Sequence, residues 1–375
     1  MDFNFLKKKG KPFIVLDIGT EAVKAGIFVE KKEKTEVLQT SISNICSAGV
    51  FSGDDPEIEA VGRAVKSSLE EIYFSFRPDP KATEVFALLP PDKVLAKVVS
   101  ESVLRENSLK KISLQESQNL ERSLLEKARK KTAENFAAKA GILEKDLEWL
   151  KAEITEKRLE GYKLNKLEGK KGSRVDFKIL LIFSPGEYLK RVKEIFKDLD
   201  LKITSVFHLA QIVSVIFQDK ETGKTILDVG GSHTQAFFIR NDCLDRSQVF
   251  SKGGKDFTDR LQDVLNLDTD MARNLKERYS AGLLEPEISA RVKDVFNIER
   301  ASARKEFDEI ISQRFPVYLL GGGSALKDFR RLFYKRKFIL PKSFKKVIIN
   351  SKSLRTAQIV PILLTALFKN AQKNI

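Results

Sequence analysis

The sequence predicts an α/β fold of two similar halves facing each other, with a smaller α/β module inserted into the first. Three observations predict it. A β-hairpin tipped by Asp-x-Gly occurs twice, about 210 residues apart, and recurrence at that distance marks a duplication. A third glycine-rich turn follows a strand near the end of the chain. Between the halves lies a stretch of strands and helices of different character, long enough to fold as a unit.

The first hairpin begins with the short buried-strand run Phe13-Ile14-Val15-Leu16, turns through Asp17-Ile18-Gly19-Thr20 and returns through Val23 to Val29. The second runs from Thr225-Ile226-Leu227 through Asp228-Val229-Gly230-Gly231-Ser232 and returns through Gln235 to Ile239. The third turn, Gly321-Gly322-Gly323-Ser324, follows Val317 to Leu320. After it, Ala325 to Tyr334 reads as a helix, with Leu326, Phe329, Leu332 and Phe333 at helical spacing.

The intervening stretch reads as strands at Val85 to Leu89 and Val94 to Val99 around Pro90-Pro91. A polar helix over Ser113 to Lys139 follows, with Ser113 and Glu116 as a capping box, and then two strands within Leu147 to Leu167. The basic turn Gly169 to Ser173 leads into a strand over Val175 to Phe183 and an amphipathic helix over Gly186 to Leu199. The expected division is 1–84 plus 205–222 for the first half, 85–204 for the module and 223–375 for the second half. That second half carries a mainly helical subdomain at about 255–314.

The composition of these 375 residues, 42% apolar and 32% charged, suits a globular chain of two to three domains. No run of about 18 apolar residues suggests a transmembrane helix, and Met1 to Lys11 lacks the apolar stretch of a secretory signal. Cys46 and Cys243 are the only cysteines, and His208 and His233 the only histidines, which disfavours a disulfide scaffold or a Cys/His zinc site. A cytoplasmic chain is expected. Lys and Arg outnumber Asp and Glu by 67 to 52, a formal +15 that favours anionic partners: a lipid surface, nucleic acid or an acidic protein. Alternating-sign segments such as Leu120 to Lys131 read instead as solvated helix faces. No aromatic and basic stripe of the base-stacking kind is present, so no specific nucleic acid is expected.

The glycine turns suggest chemistry when taken together. A triphosphate needs backbone N–H donors, hydroxyls, and carboxylates to hold a hydrated Mg2+. Gly19-Thr20 and Gly230-Gly231-Ser232 would clamp phosphates from two sides, while Asp17 and Asp228 would hold metal waters. Gly321-Gly322-Gly323 would approach the base and ribose with its backbone. His233 reads as a loop residue, because adjacent strand positions point to opposite faces and rule out a Ser232–His233 relay. His208, among Val206, Phe207 and Leu209, reads as a core or boundary residue, and Trp149 as packing within the module.

In that order the three turns resemble the phosphate-1, phosphate-2 and adenosine motifs of the actin-like ATPase superfamily. Ile14 to Phe28 matches the first, Thr225 to Ile239 the second and Leu319 to Leu326 the third. The placement of the module resembles the FtsA/PilM type, known from bacterial cell division and type IV pilus assembly. Leu159 to Tyr162 and Glu168 to Gly172 resemble turns of the FtsA module, and Gly253 to Thr258 resembles the segment after phosphate-2. The resemblance implies an actin-like fold: duplicated ribonuclease-H-like halves around a cleft binding ATP with Mg2+. It implies Asp17, Gly19, Thr20, Lys24, Asp228, Gly230, Gly231, Ser232, Thr234, Gly254, Lys276, Gly321, Gly322, Gly323 and Ser324 as cofactor-binding residues. Of these, Asp17 and Asp228 would reach the metal through water.

The sequence departs from the pattern at Ser232, His233, Thr234 and Gln235, where FtsA usually has a third glycine, two threonines and an aspartate. Ser232 narrows the approach to phosphate, and Gln235 supplies no anionic metal-shell ligand. Near Lys276 the usual acidic position reads as Arg273. Binding is therefore expected over hydrolysis, with a slow ATPase at most.

The resemblance further implies an FtsA-like scaffold that forms protofilaments and links the tubulin-like protein FtsZ to the membrane. A PilM-like ring component gripping a membrane protein's tail is the alternative. A sugar or metabolite kinase on the same fold lacks an assignable carboxylate base, and a chaperone lacks a peptide-binding domain after Gly323. The helix Thr356 to Phe368 reads as the last core helix, and Lys369 to Ile375 is too short for the family's amphipathic tail. Met1, Phe3, Phe5 and Leu6 before Lys7-Lys8-Lys9 are the expected substitute, an anionic-membrane contact at the inner face of the cell membrane. Arg330-Arg331, Lys335 to Lys337 and Lys342 to Lys346 form a second basic concentration.

Overall fold

The computed structural model describes residues 11–31, 34–45, 56–76, 83–217, 223–333, 336–338, 347–349 and 359–372. Met1 to Leu6, Lys7-Lys8-Lys9, Cys46 and Lys342 to Lys346 lie outside them, as do Lys335 and the start of the helix expected from Thr356.

The first half opens with β1 (Pro12–Ile18), β2 (Ala22–Lys31) and β3 (Lys34–Asn44), then α1 (Pro56–Phe76) and β4 (Glu84–Leu88). In α1, Ala60, Ala64, Val65, Leu69 and Ile72 are buried at three- and four-residue spacing, the stripe that packs a helix onto a sheet. The chain next builds the module from β5 (Leu95–Leu104), α2 (Leu114–Ala140), β6 (Leu147–Leu159), β7 (Tyr162–Leu164) and β8 (Arg174–Pro185). It returns through α3 (Gly186–Asp198), β9 (Ile203–Phe207) and α4 (Leu209–Ile216). The second half comprises β10 (Gly223–Val229), β11 (Thr234–Arg240), β12 (Cys243–Phe250), α5 (Gly254–Leu265), α6 (Thr269–Ala281), α7 (Pro286–Glu306) and α8 (Asp308–Ile311). It continues with β13 (Val317–Leu320), α9 (Lys327–Arg330) and β14 (Arg336–Phe338), after which come β15 (Val347–Ile349) and α10 (Val360–Gln372).

The duplication is explicit in the pairing. One sheet runs β15-β3-β2-β1-β4-β9 and another β12-β11-β10-β13-β14. In each, the central strand pairs antiparallel with its hairpin partner and parallel with the next strand. Asp17 lies opposite Lys24 and Asp228 opposite Gln235. Each tip closes on the same backbone bond, Gly19 N–H to Ala22 O at 3.0 Å and Gly230 N–H to His233 O at 2.9 Å. The parallel neighbours end differently: β4 leads into Pro90-Pro91 and β13 into the glycine triplet.

Two boundaries differ from expectation. β4 and β9 belong to the first sheet, and Leu189, Val192 and Phe196 of α3 pack into its core, so the module sheet, β5-β8-β6-β7, runs only from Leu95 to Pro185. The buried run Val85–Leu88 extends along β1, so the excursion begins after it, at the prolines. At the other end, β15 pairs with β3, and Ile362, Leu363, Leu364 and Phe368 of α10 join the first core. The last segment therefore returns to the first half rather than completing the second, and its helix runs past Phe368 to Gln372.

The helix expected over Ala325 to Tyr334 is also broken. A 3-10 turn spans Gly322–Ala325, Leu326 is extended, and α9 is a single turn. Leu326, Phe329, Leu332 and Phe333 are nevertheless all buried, so their spacing reported burial and not a continuous helix. In the module, Ser113 caps α2 by accepting from the Glu116 N–H, but the Glu116 carboxylate turns to Arg105 instead of closing the box. Trp149 packs on Phe183, as expected. Among the described residues no helix is long and apolar enough to cross a membrane.

Candidate functional site

The two hairpin tips and the glycine turn after β13 meet at one cavity of about 520 Å3, within the ~300–1,000 Å3 range of small-molecule sites. Asp17, Gly19, Thr20 and Lys24 line it from the first half. Asp228, Gly230, Gly231, Gly254, Lys276, Gly322 and Gly323 line it from the second. Four expected residues do not. Ser232 directs its N–H at the Thr20 hydroxyl, 3.0 Å away. Thr234 is fully buried and donates to the Lys252 carbonyl at 2.6 Å. Gly321 takes φ +84° against Asp228 and Val229, a left-handed conformation that favours glycine. Ser324 is buried and donates to the Gly321 carbonyl at 2.7 Å. These four shape the turns rather than the cavity wall.

Lys24 and Asp17 form an ion pair at 2.6 Å on neighbouring strands, both side chains mostly buried. Burial alone would lower the Lys24 pKa, but Asp17 and Asp228 together hold it above its ordinary value. Burial, with repulsion from Asp17, pushes Asp228 up to about 7 against the pull of Lys24. Both carboxylates act electrostatically on one ammonium, and a further cation would favour the ionised form of Asp228. That donor set fits a hydrated Mg2+ held through water beside phosphate, which needs only one or two carboxylates. A direct metal cage is not present: among the described residues no cluster of three His, Cys, Asp or Glu side chains could hold an ion.

Residues missed in the sequence complete the wall. Glu21, beside Thr20, accepts from Arg273 of α6 at 3.0 Å, an ion pair reaching from one half to the other. Arg273 is thus a cross-cleft partner, while Glu277, next to Lys276, supplies a cavity-lining carboxylate on that helix. Lys276 donates to the Gly254 carbonyl at 2.9 Å and to Thr258 Oγ1 at 2.6 Å, and burial pushes its pKa down. Gly231 sits so close to Glu21 that an added Cβ would overlap the Glu21 side chain. The first turn of α5 locks the second tip, with Gly254 N–H to Gly230 O at 3.0 Å and Lys255 N–H to Gly231 O at 2.9 Å.

The histidines sit near this polar end. His208 is buried, caps α4 by accepting from the Ala210 N–H at 3.0 Å, and lies 3.1 Å from the Gln235 amide. Desolvation lowers its pKa to about 4. His233 lines the cavity, with Nδ1 4.0 Å from Asp92 and not from a nucleophile. The arrangement therefore provides backbone amides, a hydroxyl, ammonium groups and the carboxylates of Asp17, Glu21 and Asp228 from the hairpin tips, and glycine backbone with Ala325 and Leu326 from the turn after β13. It suits a phosphorylated ligand with a flat apolar portion.

No family model matches the chain. Cell division protein FtsA of Streptococcus pneumoniae is 25% identical over 291 residues, 76% of this chain. The chain spans about three fifths of that relative's length, the match covering 59% of it. FtsA of Staphylococcus epidermidis is 29% identical over 104 residues, 26% of this chain and 22% of that one. Among solved structures, a chain of the PilM–PilN type IV pilus biogenesis complex superposes with a TM-score of 0.65 at 17% identity, covering 96% of this chain and 98% of that one. The ethanolamine utilization protein EutJ of Carboxydothermus hydrogenoformans gives a TM-score of 0.50 at 11% identity, over 95% and 89% of the two chains. The chain has the actin-like fold, and its sequence is similar to that of FtsA.

Proposed function

We propose that the chain is a nucleotide-binding scaffold in which ATP with Mg2+ joins the two halves and sets the angle between them. One observation carries this reading: three glycine turns distant in sequence line a single cavity that also holds the Asp17–Lys24–Asp228 cluster. Gly19, Thr20, Gly230 and Gly231 receive the phosphates, and Lys24 offers them its ammonium group. Asp17 and Asp228 hold Mg2+ through water, where the ion would offset phosphate charge. Gly254, Lys276, Gly322 and Gly323 receive the adenosine, with Glu277 placed for the ribose. Gln235 stands where Asp228 faces its partner strand and is engaged with His208, and the Glu21 carboxylate is paired with Arg273, so neither is free to act as a base toward water. Hydrolysis is slow, and bound ATP acts by holding a shape.

As an FtsA-type scaffold, the protein self-associates into protofilaments and links an FtsZ-like division protein to the inner face of the membrane. A pelleting assay with and without ATP tests this; monomeric behaviour under every nucleotide and lipid condition contradicts it. A PilM-type role is the second reading. It is favoured by the likeness in fold spanning 98% of the chain from the pilus complex, whereas the match to the curated division protein covers 59% of its length. Co-purification with a tubulin-like partner or with the cytoplasmic tail of a pilus membrane protein separates the two.

A further inference from the structure

We propose that the free tip of the inserted module, built from residues 104–114 and 159–174, is a docking surface for an anionic lipid membrane. Strand register puts the ends of β5 and β6 and the start of β8 together, since Leu104 pairs with Arg174 and Leu159 with Val175. The two loops beyond them are bonded to each other: Ile112 N–H to Lys170 O at 2.9 Å, Gly169 N–H to Ile112 O at 2.9 Å and Gly172 N–H to Ser108 O at 3.1 Å.

This tip exposes what a globular surface ordinarily covers. Leu104 is 72% exposed, Leu109 81%, Leu114 56% and Tyr162 77%. Around them the loop bonds bring Lys110-Lys111 alongside Lys170-Lys171, all four exposed, with Lys163, Lys166 and Arg174 nearby. Residues 104–114 and 160–174 expose seven basic side chains against three acidic ones. Side chains exposed to this degree stand out from the surface, as apolar groups that enter a bilayer interface do, and basic neighbours draw such a surface to anionic headgroups. Leucines in place of a row of aromatic rings argue against base stacking.

The tip is held rigidly. Arg105, only 8% exposed, donates from Nε and Nη2 to both Glu116 oxygens at 2.7 and 3.2 Å, from Nη1 to the Gly172 carbonyl at 2.5 Å and from Nη2 to the Lys110 carbonyl at 3.0 Å. One buried guanidinium thus fastens both lysine-bearing loops to α2. The exposed leucines are displayed on a braced scaffold, so little ordering remains to be done on docking.

The test is co-sedimentation of the full chain, without nucleotide, with vesicles of phosphatidylglycerol and phosphatidylcholine and with vesicles of phosphatidylcholine alone. The parent protein should pellet with the anionic vesicles only, and less so at high salt. Changing Lys110, Lys111, Lys170 and Lys171 together to Glu should weaken binding at least tenfold. Changing Leu104, Leu109 and Leu114 together to Ser should do the same while keeping the salt dependence. Both variants alter exposed side chains and should keep the parent's melting midpoint. The proposal is overturned if the parent does not bind, or if both variants bind vesicles as the parent does. The second result would overturn it even if the tip lysines then prove necessary for duplex DNA or an acidic protein. Because nucleotide is absent from every arm, the outcome is independent of the cleft.

Discussion

Arg273 of α6 and Glu21 at the tip of the β1–β2 hairpin are 3.0 Å apart and join the two halves across the cavity. The Ser232 N–H to Thr20 hydroxyl bond makes a second crossing beside it. Of the four groups, Thr20 is one to which the proposed function assigns a phosphate contact, and both bonds tie the hairpin tip of the first half to the second half. A part-buried ion pair of this kind contributes about 1 kcal/mol. Glu21→Gln removes one fastening and is expected to raise the association rate of a fluorescent ATP analogue about fivefold in stopped-flow measurements. An unchanged rate would show that the pair does not limit entry.

Clearance at the glycines ranks the expected losses in affinity. An added Cβ at Gly231 collides with Glu21, at Gly323 it meets Val229 Cγ1 at 2.6 Å, and at Gly19 it meets the Ala22 carbonyl oxygen at 3.0 Å. Calorimetric titration with ATP and Mg2+ should show Gly231→Val weakening binding at least tenfold, about 1.4 kcal/mol. Gly323→Ala should weaken it less, and Gly19→Ala least. Equal effects at all three would mean that backbone approach does not set affinity.

Two buried groups, His208 and Asp228, predict opposing pH effects. The folded pKa of His208, lowered to about 4 from 6.5, means that the unfolded chain binds more protons between those values. Stability from this group rises with pH across that window and is lost on acidification, by on the order of 3 kcal/mol. Asp228, raised to about 7 from 3.8, acts the other way, and its contribution is lost as pH rises through 7. Of these two groups only Asp228 still titrates above pH 6.5, and its contribution lowers the melting midpoint of the protein without nucleotide from pH 6.5 to 8. His208→Asn keeps an acceptor for the cap of α4 and should flatten the acid limb alone. An acid limb that stays as steep in that variant would assign it to other groups.

Mg2+ should raise ATP affinity in the parent protein and do so much less in Asp17→Asn and Asp228→Asn. Affinity for ATP in excess EDTA should change little in Asp228→Asn. A Mg2+ effect preserved in both variants would remove the carboxylates from the metal's water shell.

Much of this architecture is legible in the sequence because the signals are local. Asp-x-Gly tips after continuous apolar runs mark both central strands, and the apolar positions after β13 are all buried. What escaped reading depends on pairing at long range. Nothing near Val85 says that its strand must lie along β1, and nothing near Ile362 says that its helix covers the first sheet and not the second. The same limit hid the Glu21–Arg273 contact, which spans 252 positions. At the site, residue type showed which turns meet at the cavity but not which atoms face inward: Ser232, Thr234, Gly321 and Ser324 shape the turns and do not line it.

The most direct test of the central claim is an equilibrium titration of the protein with a fluorescent ATP analogue in Mg2+, competed with unlabelled ATP and repeated on Gly231→Val. The account predicts saturable binding at one site per chain, displaced by ATP and weakened at least tenfold in the variant. Absence of saturable binding, or equal affinity in the variant, would contradict it.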